Sequence, residues 1–135
     1  DCKGKNAVVI GRSLVVGKPA AMMLMGKNAT VTVCHTKTVN TAEIARSADI
    51  LVSAAGVLGS LTKEYVRPGQ VVIDVSINWD AEKPNAKGGK GAIAGDAKFE
   101  EVEPIVEAIT PVPGGVGSVT TSVLMKHVVE AAERA

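Results

Sequence analysis

Ala7-Val8-Val9-Ile10-Gly11-Arg12-Ser13-Leu14-Val15-Val16-Gly17-Lys18-Pro19 runs from an apolar segment through a turn bounded by two glycines to a proline. Four consecutive apolar residues ended by glycine predict a short strand buried on both faces, as in a parallel sheet. Pro19 suits the first turn of a helix, where a missing N–H costs nothing. Ala20 to Met25 continues that helix, and Gly26 and Asn28 end it. A glycine turn between strand and helix lets an anion approach the backbone at the positive end of the helix dipole. The turn departs from G-x-G-x-x-G because Ser13 stands at the middle glycine. Taken alone, it also fits an ordinary strand-to-helix connection.

The same alternation continues outward. Ala29 to Cys34 reads as a strand, Thr41 to Ser47 as a helix capped near Asn40 or Thr41, and Asp49 to Ala55 as a strand. Thr62 can cap a short helix, and Gln70 to Val75 is a further strand. Residues 79–91, rich in Lys, Gly and Asn, break the rhythm and predict an exposed loop or a hairpin excursion. A short strand over Ala92 to Ala94, a short helix over Lys98 to Val102 and a strand over Ala108 to Thr110 follow. A last helix over Thr120 to Arg134 puts Val123, Leu124, His127, Val128 and Ala131 on one stripe. Strands alternating with helices imply an α/β fold: a Rossmann-type doubly wound parallel sheet in three layers, α/β/α, with right-handed crossovers. The whole of 1–135 reads as one such domain.

Composition narrows the function. The 135 residues carry 15 basic and 14 acidic side chains, a net charge of +1. That balance lacks the dense basic face of a nucleic-acid binder. The aromatics are Tyr65, Trp79 and Phe99 alone, too few for a base-stacking platform. Cys2 and Cys34 form no C-x-x-C pair, and two histidines complete no zinc set, so the expectation is reduced thiols in a cytoplasmic protein and no metal. No apolar run reaches the ~20 residues of a membrane-spanning helix, and no signal peptide is present. The chain opens on Asp1 without a Met and reads as a piece of a longer protein.

In a doubly wound sheet ligands bind at the carboxyl ends of the strands. Those ends carry Gly11-Arg12-Ser13, Cys34-His35-Thr36-Lys37, Ala55-Gly56, Ser76-Ile77-Asn78 and Thr110-Pro111. An NAD site usually places an Asp or Glu at the second of these, on the ribose 2′-hydroxyl. No acid stands there. Arg12, Thr36 and Lys37 are suited to a 2′-phosphate, which favours NADP over NAD. Lys37 also fits a solvated loop charge, and His35 a packed histidine bonded to backbone. Asp74 fits an orienting carboxylate or a turn, and Met22, Met23 and Met25 fit core filler. Pro111-Val112-Pro113-Gly114-Gly115-Val116-Gly117 is shaped for close contact. No acid–base couple and no activated nucleophile stands out, so no catalytic residue is assigned.

Several motifs occur in order: Gly11-Arg12-Ser13 with Val16-Gly17 and Pro19, Ala29 to His35, Ala48 to Val52, Val72 to Asn78, Gly95-Asp96 and Thr110 to Gly117. Together they resemble the C-terminal NAD(P)-binding domain of bifunctional methylenetetrahydrofolate dehydrogenase/methenyltetrahydrofolate cyclohydrolases, over nearly the whole chain. The resemblance implies cofactor contacts at Gly11, Arg12, Ser13, Gly17, His35, Thr36, Gly56 and Ile77. It also implies a folate cleft bordered by Pro113, Gly114 and Gly115. It places the catalytic lysine and its tyrosine partner in an N-terminal domain outside this chain, and Tyr65 and the lysines present do not match that motif. Two positions depart: Ser76 and Ser118 stand where the family commonly has Gly and Pro.

The implied function is oxidation of 5,10-methylenetetrahydrofolate with NADP, then hydrolysis of 5,10-methenyltetrahydrofolate to 10-formyltetrahydrofolate. That is tetrahydrofolate interconversion in one-carbon metabolism and purine biosynthesis. The expected partners are tetrahydrofolate derivatives and a second copy of the chain in a homodimer, with no nucleic acid and no membrane. The 135-residue chain by itself is expected to bind NADP and turn over nothing. Another two-domain NADP dehydrogenase, such as one acting on shikimate, is disfavoured by the Pro111–Gly117 stretch. A non-catalytic nucleotide-sensing module is the alternative outside enzymes.

Overall fold

The computed structural model describes residues 1–135. Its strands are β1 (Asn6–Ile10), β2 (Thr30–Cys34), β3 (Ile50–Ser53), β4 (Val71–Asp74), β5 (Asn78–Pro84), β6 (Lys90–Ala94) and β7 (Ala108–Ile109). Its helices are α1 (Gly17–Gly26), α2 (Thr41–Arg46), α3 (Phe99–Val102) and α4 (Val116–Arg134), with a single 3-10 turn at Lys63–Tyr65. Five strands form one sheet in the order β2-β1-β3-β4-β7, every pair parallel. The chain steps one way from β1 to β2 and the other way through β3, β4 and β7. The order is therefore doubly wound, with its topological switch between β1 and β3.

Burial on both faces follows from the pleat, which sends successive side chains to opposite sides. Val8, Leu51 and Val72 face one layer with Cys34, Ala45, Ala48, Leu61, Val66 and Val102. Their neighbours Val9 and Val52 face the other, against Ala21 of α1, with Leu24 and Ile73 packed around them. This is the expected three-layer arrangement, and it explains why β1 and β3 read as apolar runs rather than alternating ones. Gln70 joins the layers at the start of β4. Its Nε2 donates to the carbonyls of Ala45 and Ala48 at 2.7 and 3.1 Å, tying the start of β4 to the end of α2 and the segment after it. Burial of the Cys34 thiol, central to the first cluster, pushes its pKa up.

Of the two forms expected for 79–91, a loop or a hairpin, the structure has the hairpin: β5 and β6 pair antiparallel, Asn78 opposite Ala94 and Pro84 opposite Lys90. Two details differ from the expectation. Asn40 precedes α2 in a left-handed conformation, φ 55°, and makes no side-chain cap. Instead Thr41 Oγ1 donates to the Thr38 carbonyl. The closing helix begins at Val116, ahead of Thr120, and buries no residue. Its stripe of Val123, Leu124 and Val128 is present but faces solvent, because no other element of this chain lies across it. By contrast, the Thr62 cap forms, its hydroxyl accepting from Glu64 N.

Candidate functional site

The strand-to-helix turn is built on close approach at the switch point. Gly11 has φ 120°, and a Cβ there would strike the Ala54 carbonyl at the end of β3. Only glycine meets both demands. A Cβ at Gly17 would strike the Gly11 carbonyl, so the second glycine lets α1 start hard against the exit of β1. Ser13 Oγ accepts from Val16 N and Gly17 N at 3.0 and 3.3 Å. It therefore organises the first turn of α1 with its oxygen and leaves its proton for an anion above the turn. Arg12 and Ser13 are exposed.

These residues line a cavity of about 350 Å³. Past the end of β1 it takes Gly11, Arg12 and Ser13, past β2 His35 and Thr36, and past β3 Ala54 and Ala55. No Asp or Glu lines it. His35 N donates to Thr38 Oγ1 at 2.8 Å, and His35 Nδ1 accepts from Lys37 N at 3.1 Å. The imidazole is thus held as an acceptor at Nδ1, which puts the proton of the neutral ring on Nε2. Lys37 is exposed and stands outside the lining, so the charge closest to the turn is that of Arg12. Sequence reasoning did not single out Thr41, Val57, Leu61 or Tyr65 for this cavity, which they also line. They come from segments without motif character, and only the packing of the 3-10 turn beside α2 brings them in.

A second cleft, about 730 Å³, lies where β4 and β7 end. It gathers Ser76 and Ile77 with the Pro111–Gly117 loop, including Pro113, Gly114 and Gly115. A Cβ at Gly115 would strike the Pro111 carbonyl, so this loop too depends on missing side chains. Lys83 of the hairpin donates from Nζ to the Ile93 and Val112 carbonyls at 2.9 and 3.3 Å, tying the hairpin to the loop. Gly17 and Gly56 line neither cavity. Gly17 supports the turn from behind. Gly56, at φ 68°, has its N–H engaged by Asp96 Oδ2 and Ser76 Oγ, each at 3.2 Å.

Asp96, which the sequence offers only within the Gly95-Asp96 motif, is the polar centre. It is fully buried. Its Oδ2 accepts from Ser53 Oγ at 2.9 Å, Ala55 N at 2.9 Å, Gly56 N at 3.2 Å and Ser76 Oγ at 2.7 Å. Its Oδ1 accepts from Val57 N at 2.8 Å and Asn78 Nδ2 at 3.1 Å. Burial pushes this carboxyl up, but the bonds from Ser76, Asn78, Ser53 and Val57 outweigh it and hold the pKa below the ordinary value. Asp74, also buried, goes the other way. Burial dominates, the charge of Asp96 adds to it, and the bonds from Ala97 N and Ser76 N do not compensate. A Cβ at Gly95 would run into the Asp74 carboxylate, which is why a glycine precedes Asp96. So Asp96 is the ionised member of the pair and Asp74 the one that holds a proton more readily.

No group of three or more His, Cys, Asp or Glu side chains is placed to hold a metal ion, and no helix is long and apolar enough to cross a membrane.

A parallel, doubly wound sheet with a glycine-pinned helix start at its switch point and an acid-free cavity above it defines a dinucleotide-binding α/β domain. Residues 1–135 match the family described as tetrahydrofolate dehydrogenase/cyclohydrolase, NAD(P)-binding domain, and the chain belongs to that family. It is 58% identical over 131 residues to the bifunctional protein FolD of Carboxydothermus hydrogenoformans, covering 97% of this chain and 44% of that protein. With the FolD of Clostridium botulinum it shares 52% identity over 134 residues, 99% of this chain and 45% of the relative. The chain thus spans less than half the length of the curated relatives it matches. Among solved structures, the Trypanosoma brucei methylenetetrahydrofolate dehydrogenase-cyclohydrolase, complexed with NADP cofactor and inhibitor, superposes with a TM-score of 0.87 at 40% identity. That match covers 99% of this chain and 46% of that one. The Campylobacter jejuni enzyme gives a TM-score of 0.86 at 42% identity, with 99% and 45% covered.

Proposed function

We propose that the chain is the NADP-binding domain of a bifunctional, cytoplasmic, homodimeric enzyme. That enzyme oxidises 5,10-methylenetetrahydrofolate to 5,10-methenyltetrahydrofolate and hydrolyses the product to 10-formyltetrahydrofolate. The observation that carries this reading is the family match over all 135 residues, joined to a cavity whose walls suit a 2′-phosphorylated dinucleotide. The fit rests on the donor set. Gly11 and Gly17 let β1, β3 and the start of α1 approach backbone to backbone, which brings the helix N-terminus up to the cavity. Ser13 has a free hydroxyl proton, Arg12 and Thr36 supply charge and a hydroxyl, and no carboxylate opposes a phosphate.

In this reading Gly11, Arg12 and Ser13 receive the phosphates with Gly17 supporting the turn behind them, and His35 and Thr36 flank the adenosine ribose and its 2′-phosphate. The backbone around Gly56 walls the middle of the cleft. Ile77 stands by the nicotinamide, and Pro113, Gly114 and Gly115 border the folate. Bound NADP supplies the oxidant. The chain's own part is to bind, orient and exclude water. No group lining either cavity forms an acid–base couple for hydrolysis, and that role falls to residues outside 1–135. The test is a coupled assay. The full-length protein should reduce NADP with methylenetetrahydrofolate and hydrolyse the methenyl product, whereas the 135-residue chain should do neither. Cyclohydrolase turnover by the 135-residue chain would contradict the division of labour.

A further inference from the structure

Three segments that follow different strands meet at one side chain. Ala55, Gly56 and Val57 come after β3, Ser76 and Asn78 after β4, and Asp96 itself after β6. Successive N–H groups converging on one point make an anion-binding nest. Here the nest of residues 55–57 is filled from within, by the Asp96 carboxylate. Ala55 and Val57 line the cavity over the glycine turn, while Ser76, bonded to the same carboxylate, lines the cleft beside the Pro111–Gly117 loop. Ser76 Oγ also accepts from Gly56 N, closing a link from one wall to the other. An amide cannot replace this carboxylate. Whichever oxygen it kept, its NH₂ would face donors: Val57 N and Asn78 Nδ2 on one side, or Ser53, Ala55, Gly56 and Ser76 on the other.

We propose that Asp96 is a positioning residue for dinucleotide binding, fixing the wall of one cavity to the wall of the other so that a ligand spanning both meets them in register. The proposal rests on the reading of the chain as an NADP-binding domain. It predicts a signature beyond lost stability. A ligand that occupies both cavities depends on their register, whereas one that occupies only the first does not.

The experiment titrates the full-length protein with NADP and with adenosine 2′,5′-bisphosphate, which reaches only the first cavity. Asp96→Asn should weaken NADP by about tenfold or more, the loss of an oriented, charge-assisted bond set, and weaken the half-ligand far less. Ser76→Ala, which removes one donor and the link to Gly56, should give the same pattern at about threefold, and it serves if Asp96→Asn does not fold. Val102→Ala, in the core and lining neither cavity, should lower Tm and change the two affinities, if at all, by the same small factor. A folded Asp96→Asn protein, or failing that Ser76→Ala, that binds NADP as the wild type does overturns the proposal. So does one that loses NADP and the half-ligand by the same factor. A wild-type protein that binds no NADP overturns instead the functional reading beneath it.

Discussion

Gly17→Ala adds one methyl group at the start of α1, and the structure says what that methyl meets. It lands against the Gly11 carbonyl and 2.9 Å from Arg12 N, all of it backbone. No side-chain rotation relieves the overlap, so α1 must withdraw or the turn must open. Overpacking of this kind costs about 1–3 kcal/mol, and a contact made only of backbone sits at the upper end. For a chain of 135 residues the unfolding entropy is about 0.28 kcal/mol/K, so 3 kcal/mol corresponds to a fall in Tm of about 10 °C. Withdrawal of the helix start also removes the dipole and N–H groups from any bound phosphate. The expected loss is about 1–2 kcal/mol of binding, roughly five- to thirtyfold in Kd. Calorimetric unfolding and an NADP titration on the same preparation measure both. A variant with unchanged Tm and unchanged Kd would refute the claim that Gly17 is glycine because of close approach.

Other outcomes follow from the polar groups. Asp74→Asn keeps one acceptor for two N–H donors, Ser76 N and Ala97 N, and should cost about 1–3 kcal/mol by urea denaturation. Its pH dependence has a definite sign. The raised pKa means folded Asp74 keeps its proton to higher pH than the unfolded chain does. Its contribution is therefore fullest below the ordinary carboxylate pKa and falls as pH rises through the folded value. The deficit of Asp74→Asn should thus be larger at pH 4 than at pH 7, and an equal or reversed deficit counts against the assignment. Asp96, with a lowered pKa, stabilises above the ordinary value and loses that contribution as pH falls through its folded value. Lys83→Met frees the Val112 carbonyl from the hairpin. In the full-length protein it should raise KM for the folate a few-fold while shifting stability by about 1 kcal/mol or less.

The central sheet and the turn at Gly11–Gly17 were legible because buried parallel strands leave apolar runs and glycine marks the places where backbones touch. The strand ends at Arg12 and at His35-Thr36 followed from the same period, and the structure brings them to one cavity. Asp96 was visible only as part of a motif. Its importance comes from Ala55 N–H and Ser53 Oγ, whose separations in sequence, 41 and 43 residues, lie far beyond any local pattern. The hairpin at β5 and β6 was ambiguous because Gly88-Gly89-Lys90-Gly91 suits a loop as well as a turn. The stripe on α4 follows from its period, but periodicity says which residues share a face and not what covers it. Resemblance of ordered motifs supplied the folate chemistry, which no spacing or charge pattern contains.

The choice of dinucleotide at the cavity over β1 and β2 is decisive. Titrating NADP and NAD into the wild-type chain and into Arg12→Ala tests it directly. The wild type should prefer NADP by between about tenfold and a hundredfold, the worth of a charge-assisted phosphate contact, and Arg12→Ala should erase the preference. Equal affinity for NAD and NADP in the unmodified chain would contradict it.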